Sequence, residues 1–222
     1  MSIILIFLVI LVIILYFLRK YLKGGVCENK HDMKNKTIII TGASNGLGKE
    51  SALDLLNHNA KVIFACRSEE RAMQIINTLP ENIRKNAFFI KLDLSNFTSI
   101  VNFAQEVKKK FTKIDILMNN AGAMPLKFDW TEDGYDLYFS SNYIGPFLLT
   151  ALLLPIINKE SGDSKIINLS SAMHKWSKIE KGEIKNYTNK DYMKGFYNES
   201  KTKGLYNCII HYIITQNYLI YI

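Results

Sequence analysis

The sequence predicts a doubly wound α/β fold, in which helices cover both faces of a parallel β-sheet. Three observations predict it. Short runs of β-branched and aromatic residues alternate with helical patterns along residues 37–169. These runs are almost continuously apolar, as expected for strands that are covered on both faces. A helical pattern occupies each gap between runs, so the strands form βαβ units whose right-handed crossovers open a ligand crevice at the carboxyl ends of the strands.

The composition is that of one folded domain with an appendage. The chain has 222 residues, of which 48% are apolar and 22% charged, and this balance excludes a disordered chain. The formal charge is +8, but no basic run is interleaved with aromatic residues as in nucleic-acid-binding modules, so we expect no nucleic-acid partner. Cys27, Cys66 and Cys208 are widely spaced and form no C-x-x-C pair, which favours a reducing compartment and argues against a disulfide framework or zinc site.

The first segment is predicted to be a transmembrane helix. Residues 3–18 are all apolar and are followed by Arg19, Lys20 and Lys23. Sixteen helical residues span about 24 Å, slightly less than the ~27 Å hydrocarbon core of an endoplasmic-reticulum bilayer. A cleaved signal peptide is the alternative, but no basic region precedes the run and no A-x-A-like site follows it. A buried core helix is disfavoured because the run has no polar residue on any face.

These features predict the domain organisation. We expect a membrane anchor at residues 1–23, a polar linker at 24–36 and the α/β domain at 37–222. Because the positive charges follow the apolar run, the positive-inside rule places the domain in the cytosol.

The elements of the domain follow in order. Strands are predicted at residues 37–41, 61–66, 87–92, 114–118 and 165–169. Helices are predicted at residues 47–57, 69–79, 98–111 and 135–157, and Ser95 or Asn96 is expected to cap the third.

A glycine-rich loop joins the first strand to the first helix of the domain. It has the pattern Gly-x3-Gly-x-Gly, and its expected ligand-facing residues are Gly42, Ser44, Asn45, Gly46, Leu47 and Gly48. Glycines allow a tight turn and the close approach of a pyrophosphate to a helix N-terminus, whose N–H groups and dipole favour anions. The loop directly follows the first strand of a βαβ series, which favours a Rossmann-type dinucleotide site.

Residues at the ends of the next two strands indicate which dinucleotide the site binds. An acidic residue after the second strand would bind the ribose 2′-hydroxyl of NAD, but this chain has Arg67 there. A guanidinium pairs with a 2′-phosphate, so NADP(H) is favoured over NAD; a solvated arginine that begins a helix is the alternative. Asp93, after the third strand, is placed to accept a hydrogen bond from the adenine amine, although a helix-capping aspartate would look the same.

A tyrosine and a lysine lie one helical turn apart late in the chain. Tyr197 and Lys201 are four residues apart and therefore share a helix face. An ammonium near a phenol favours the phenolate and lowers a pKa that is normally about 10, which makes the tyrosine a usable acid or base. Such a pair arises easily by chance, and its order after the glycine loop, Asn119-Asn120-Ala121-Gly122 and Ser170-Ser171 gives it weight.

Together these motifs resemble the short-chain dehydrogenase/reductase family. The finer motifs are similar to the retinol dehydrogenase group: Ala65-Cys66-Arg67, residues 131–135 (TEDGY), Asn142 with residues 147–150 (FLLT), and Ser170-Ser171-Ala172 with His174. The resemblance implies an NADP(H)-dependent oxidoreductase of retinoids or other lipophilic alcohols and carbonyls. It also implies an N-terminal membrane anchor, in agreement with the apolar run, and a homodimer formed through the helices that carry Asn142 and Tyr197.

The resemblance also implies residue roles. Tyr197 exchanges a proton with the substrate oxygen, Lys201 lowers the pKa of Tyr197 and binds the nicotinamide ribose, and Ser171 hydrogen-bonds the substrate oxygen. Asn142 holds a water that relays protons to Lys201. The cofactor crevice is lined by Asp93, Leu94, Asn120, Ala121 and Gly122. For Asn120 a bracing role in the turn stays open, and for His174 a packing role is favoured over a catalytic one.

The chain also departs from the group. Tyr143 and Pro146 stand after Asn142 and Gly145, where the group usually has histidines, and Pro146 is expected to kink its helix. After Gly204 the family continues through a sixth and a seventh strand, whereas here residues 205–222 end the chain, so we expect a C-terminally incomplete sheet. The alternative function is therefore a truncated nucleotide-binding or regulatory protein that binds NADPH weakly with little or no turnover.

Overall fold

The computed structural model describes residues 2–22, 31–122, 129–157 and 164–169. The chain divides into two compact units, residues 1–31 and 32–222. The first unit contains helix α1, Ser2–Leu22, whose side chains from residue 5 to residue 21 are exposed and mostly apolar. The helix extends past the apolar run because Arg19 and Lys20 continue its last turn, where cations favour the helix dipole.

A parallel sheet of five strands forms the second unit. The strands are β1 (Thr37–Thr41), β2 (Lys61–Cys66), β3 (Ala87–Lys91), β4 (Ile116–Asn119) and β5 (Lys165–Asn168), in the spatial order β3-β2-β1-β4-β5. The chain thus begins in the middle of the sheet, moves outward to β3 and returns to β4 on the other side of β1. The predicted Rossmann-like parallel sheet is confirmed, and its reversal point lies between β1 and β4, where such sheets bind ligands.

Helices connect the strands. They are α2 (Gly46–Asn57), α3 (Glu69–Asn77), α4 (Glu81–Arg84), α5 (Phe97–Lys110), α6 (Leu137–Phe139) and α7 (Gly145–Ile157). Asn96 caps α5 by accepting a hydrogen bond from Ser99 N at 2.8 Å, which confirms one of the two predicted caps.

The predicted helix 135–157 is interrupted. A π-helical turn, Ser140–Ile144, separates the short α6 from α7. Pro146 follows this turn and has no N–H to donate to the Asn142 carbonyl, so the regular α-helical pattern cannot pass through this point. In the second unit, the described stretch 137–157 is long and apolar enough by composition to cross a membrane, but much of it is buried inside the domain.

Two apolar clusters cover the faces of the sheet. On one face Ile39, Ile63 and Leu117 pack with buried residues of α5 and α7, and on the other Ile38 and Phe64 pack with α2 and α3. Successive strand residues therefore enter opposite cores, which explains why the strand sequences are continuously apolar.

Candidate active site

The glycine loop turns sharply at the carboxyl end of β1. Gly42 has a φ of +70° and Gly46 a φ of +53°, which are left-handed conformations that other residues rarely adopt. Gly42 N donates to Ala65 O of β2 at 2.8 Å, and the Asn45 side chain caps α2 through Gly46 N at 2.8 Å. The loop therefore delivers the N-terminus of α2 to the reversal point of the sheet.

Asn120 and Thr41 hold the loop in place. Asn120 Nδ2 donates to Thr41 O at 2.8 Å, while Thr41 Oγ1 accepts from Asn120 N at 3.0 Å and from Ala121 N at 2.9 Å. The structure thus shows Asn120 bracing the turn. Thr41 was not among the predicted site residues, although a polar residue at the end of a buried strand, directly before Gly42, is a signal that could have found it.

Three glycines of the loop have different surroundings. A Cβ on Gly48 would collide with Asn120 Nδ2 and lie 2.6 Å from Gly42 O, and a Cβ on Gly42 would lie 3.0 Å from Ala121 Cα. A Cβ on Gly46 would meet nothing within 4 Å. Backbone packing therefore requires glycine at positions 42 and 48, whereas Gly46 borders open space that a pyrophosphate can enter.

The end of β2 carries the predicted determinant of cofactor choice. Arg67 is exposed and directly follows Cys66, the last residue of β2. Burial raises the pKa of the Cys66 thiol, against a smaller lowering by a hydrogen bond with Ser44 of the loop. Cys66 is a free, buried thiol. Its thiol donates to Ser68 O at 3.8 Å, and Ser68 caps α3 directly after Arg67.

The predicted adenine-binding residue is engaged locally. Asp93 Oδ1 accepts from Ser95 N at 2.9 Å and from Ser95 Oγ at 2.6 Å. Asn96 is the cap of α5, so the alternative of Asp93 as the helix cap is wrong. Leu94 is buried, and a Cβ on Gly145 would collide with Leu94 O, so α7 packs directly on this segment.

Buried polar groups lie on the β5 side of the crevice. Asn142 is buried in the π-helical turn. Asn119, at the end of β4, donates through Nδ2 to Thr150 Oγ1 at 3.2 Å and to Asn168 Oδ1 at 2.8 Å. Asn119 and Thr150 were missed as site residues because their role is to fix the position of β5, two residues before Ser170.

A buried carboxyl group precedes the π-helical turn. Asp136 Oδ1 accepts from Phe139 N at 2.9 Å, while Oδ2 is buried without a hydrogen-bond partner. Burial raises the pKa of Asp136 to about 6, partly opposed by the amides of Phe139 and Tyr138. The neighbouring Asp133 Oδ2 accepts from Phe97 N at 2.9 Å, which joins this segment to the start of α5.

The remaining predicted site residues, Ser171, Tyr197 and Lys201, lie outside the described residues, as do Ser170 and His174. Of the four predicted catalytic residues, Asn142 therefore lies within the described part of the chain. Gly122 ends the described part of the Asn-Asn-Ala-Gly segment and is exposed.

Sequence comparison identifies the family. The short chain dehydrogenase family pattern matches residues 36–182. The chain belongs to the short-chain dehydrogenase family.

Relatives within the family are retinol dehydrogenases. The chain is 40% identical over 186 residues to retinol dehydrogenase 13 of Mus musculus, covering 83% of this chain and 55% of that protein. It is 36% identical over 190 residues to retinol dehydrogenase 12 of Mus musculus, covering 85% and 59%. The chain thus spans little more than half the length of these relatives.

Solved structures share the fold. A short-chain dehydrogenase from Escherichia coli CFT073 in complex with NADPH superimposes with a TM-score of 0.57 at 23% identity, covering 77% of this chain and 70% of that one. One from Shigella flexneri 2a in complex with NADP gives 0.57 at 24% identity, covering 76% and 71%.

Proposed function

We propose that this short-chain dehydrogenase is an NADP(H)-dependent oxidoreductase of lipophilic alcohols and carbonyls such as retinoids. The observation that carries the proposal is the crevice at the carboxyl ends of β1 and β2. There, Gly42 and Gly48 are enclosed by backbone, Gly46 borders open space and Arg67 is exposed beside them. The two similar solved structures were crystallised with NADPH and NADP, and the similar curated proteins are retinol dehydrogenases.

The residues fit a phosphorylated dinucleotide. The N-terminus of α2 and its glycine loop would bind the pyrophosphate, where the helix dipole favours anions. Arg67 would pair with the 2′-phosphate through a planar guanidinium, which matches phosphate oxygens in bidentate geometry. Asp93, Leu94, Asn120, Ala121 and Gly122 would line the adenine and ribose side. When bound, NADP(H) supplies or accepts the hydride.

The proton is assigned to the chain's own residues. Tyr197 would hold the proton that is exchanged with the substrate oxygen, and Lys201, four residues on, would lower the pKa of that phenol. Ser171 would hydrogen-bond the substrate oxygen where negative charge develops. Asn142 would hold a water in the proton path to Lys201. These four roles rest on the family resemblance and on the motif positions in the sequence.

Membrane attachment belongs to the same proposal. Helix α1 exposes an uninterrupted apolar surface, and basic residues follow its apolar run. Residues 1–23 would anchor the chain in the endoplasmic reticulum and residues 24–36 would link it to a domain in the cytosol, since positive charges favour that side. A thin bilayer suits an apolar run of this length.

The decisive experiment is cofactor choice in the full chain, held in detergent or nanodiscs. We expect Arg67→Asp to weaken NADPH binding at least tenfold, because one charged pair is lost. A factor of ten corresponds to about 1.4 kcal/mol of binding free energy. NADH binding should be unchanged or tighter. Binding is measured by nicotinamide fluorescence. Arg84→Asp, at the exposed end of α4, is the matched control for charge. An unchanged NADPH to NADH ratio in Arg67→Asp would contradict the assignment.

The same preparation tests the chemistry. Reduction of retinal by the full chain with NADPH should be abolished by Tyr197→Phe, while NADPH binding is retained. Turnover of this kind excludes the alternative of a nucleotide-binding protein without an active site. Binding without any turnover in the unmodified chain would support that alternative.

A further inference from the structure

The amino edge of the sheet carries a lysine-rich cleft that the proposed oxidoreductase chemistry does not use. Its volume is about 410 Å³. It lies where β1 and β2 begin, just before β4, and beside the end of α5. The charged residues that line it are Lys34, Lys36, Lys61, Lys110, Lys113 and Asp115.

Five lysines and one carboxylate therefore line the same cleft. Asp115 Oδ1 lies 3.1 Å from Lys113 Nζ and 3.5 Å from Lys36 Nζ, so these two lysines are held by the buried carboxylate. Lys110 Nζ lies 2.6 Å from Glu106 Oε1 on the same helix. Lys34 and Lys61 are exposed at the rim. The lining thus keeps a large excess of positive charge after its own pairs are counted.

This edge is also where the chain arrives from α1. Lys34 and Lys36 belong to the segment that precedes β1, and residues 23–30 alone separate it from the helix. Arg19 and Lys20 end the helix, and the sequence of the connecting residues contains Lys23 and Lys30. The lysines of the cleft therefore continue, in the folded domain, a basic series that begins next to the apolar helix.

We propose that the amino edge of the domain is a docking surface for anionic phospholipid headgroups. Lysines are attracted to an anionic leaflet and do not need a phosphate at one fixed position. Their contributions to the free energy of binding add when several lysines lie within a Debye length of the surface. The docked domain presents its amino edge to the bilayer and its cofactor crevice, at the carboxyl ends of the strands, away from it. The proposal goes beyond the oxidoreductase chemistry, and membrane attachment by α1 is measured separately below.

The experiment compares two vesicle types with the full chain. Binding to neutral vesicles of phosphatidylcholine reports the insertion of α1. Vesicles with about one third phosphatidylserine report, in addition, the attraction of the lysines to anionic headgroups. Partition is measured by flotation at low salt. We expect Lys34→Gln/Lys61→Gln to lower the partition into anionic vesicles by roughly 25-fold, at about fivefold per lysine, and to leave the partition into neutral vesicles unchanged. The difference should disappear at about 1 M salt, where the Debye length is ~3 Å.

Two matched variants complete the design. Arg84→Gln/Lys91→Gln removes the same charge from exposed positions outside the cleft and should behave like the unmodified chain. Lys34→Arg/Lys61→Arg keeps the charge and should retain the anionic preference. Partition of the unmodified chain into anionic vesicles alone would mean that α1 does not insert, which concerns the attachment proposed above, and would support the cleft.

Three outcomes would overturn the docking surface. One is an equal partition of the unmodified chain into neutral and anionic vesicles. Another is an equal loss in the Arg84→Gln/Lys91→Gln control, which would mean that net charge alone decides. The third is displacement from anionic vesicles by millimolar inorganic phosphate at constant ionic strength, which would identify a site for a free phosphate.

Discussion

Two buried aspartates, at opposite edges of the same sheet, have pKa values shifted in opposite directions. Asp115, at the amino edge, is 5% exposed; burial raises its pKa, but the hydrogen bond from Thr37 N and the charges of Lys113 and Lys36 outweigh burial and lower it. Asp136, before the π-helical turn, is 0% exposed, and burial raises its pKa to about 6. Burial alone therefore does not decide ionisation; the partners of the carboxylate do.

The amino and carboxyl edges of the sheet also differ in what holds them in place. At the carboxyl edge the glycine loop is held by neutral groups, namely Thr41 and Asn120, and close contacts leave no space for a Cβ at Gly42 or Gly48. The amino edge is organised by charges around Asp115, which tolerate changes in side-chain shape. The tightly packed glycine loop suits a cofactor of fixed shape, whereas the charged cleft suits a partner without fixed geometry.

The largest expected effect breaks the tightly packed edge. Gly48→Ala should lower the free energy of unfolding by about 2 to 3 kcal/mol and weaken NADPH binding, because its Cβ collides with Asn120 Nδ2 and breaks the brace to Thr41. Gly46→Ala is the matched control for stability: its Cβ meets no protein atom, so only the left-handed backbone conformation costs free energy, about 1 kcal/mol. Chemical denaturation measures the stability of both variants, and NADPH fluorescence measures cofactor binding to Gly48→Ala. Equal losses of the free energy of unfolding in the two variants would show that close packing is not the cause.

An intermediate effect tests the charged edge. Asp115→Ala should cost about 2 kcal/mol at pH 7, because Thr37 N and two lysines lose their partner. Since the folded pKa of Asp115 is lowered, its stabilisation is present above the unfolded pKa of about 3.9 and is lost as the pH falls through the folded value. Denaturation curves at several pH values measure this. Asp54→Ala, at an exposed carboxylate on α2, should change stability by less than about 0.5 kcal/mol. A difference between Asp115→Ala and the unmodified chain that persists undiminished at pH 2 would contradict the charge explanation.

The smallest effect has the opposite sign. Asp136→Asn should stabilise the domain by about 1 kcal/mol above pH 6, because it removes a carboxylate that burial disfavours while the amide oxygen can still cap Phe139 N. The raised folded pKa means that the unmodified domain binds the proton more tightly than the unfolded chain, so its stability falls as the pH rises from about 4 to 6. Melting temperatures across that window should converge near pH 4. Destabilisation of equal size at pH 4 and pH 8 would mean that packing, not charge, decides at this position.

Particular residues show how far the sequence predicts this molecule. β1 and β2 begin and end at the predicted residues, because glycine, lysine and arginine flank continuous apolar runs there. β4 begins two residues later than predicted, since Ile114 N donates to Ile156 O at the end of α7 instead of to the sheet. The π-helical turn was not predicted because residues 137–157 have a uniform apolar pattern, which does not report hydrogen-bond spacing.

The candidate site divides in the same way. The glycine loop could be predicted because glycine at set positions has a steric reason that local sequence carries. The brace from Asn120 to Thr41 joins residues 79 apart, and the link from Asn119 to Asn168 joins residues 49 apart. Such contacts depend on which strands become neighbours in the sheet. The motif alone therefore predicted only that Asn120 could brace a turn, and not that Thr41 would be its partner.

The central position of β1 has a consequence for synthesis of the chain. β1 pairs with β2 on one side and with β4 on the other, and β4 follows much later in the sequence. Thr37 N, for example, donates to the carboxylate of Asp115, which is 78 residues further along the chain. At a translation rate of ~5–20 residues per second, that delay is on the order of 4 to 16 s. During it, one edge of β1 is exposed on the nascent chain with an unmatched row of amides and carbonyls. We therefore expect chaperone capture and strand-to-strand aggregation to concentrate on this edge in the interval before Asp115 emerges.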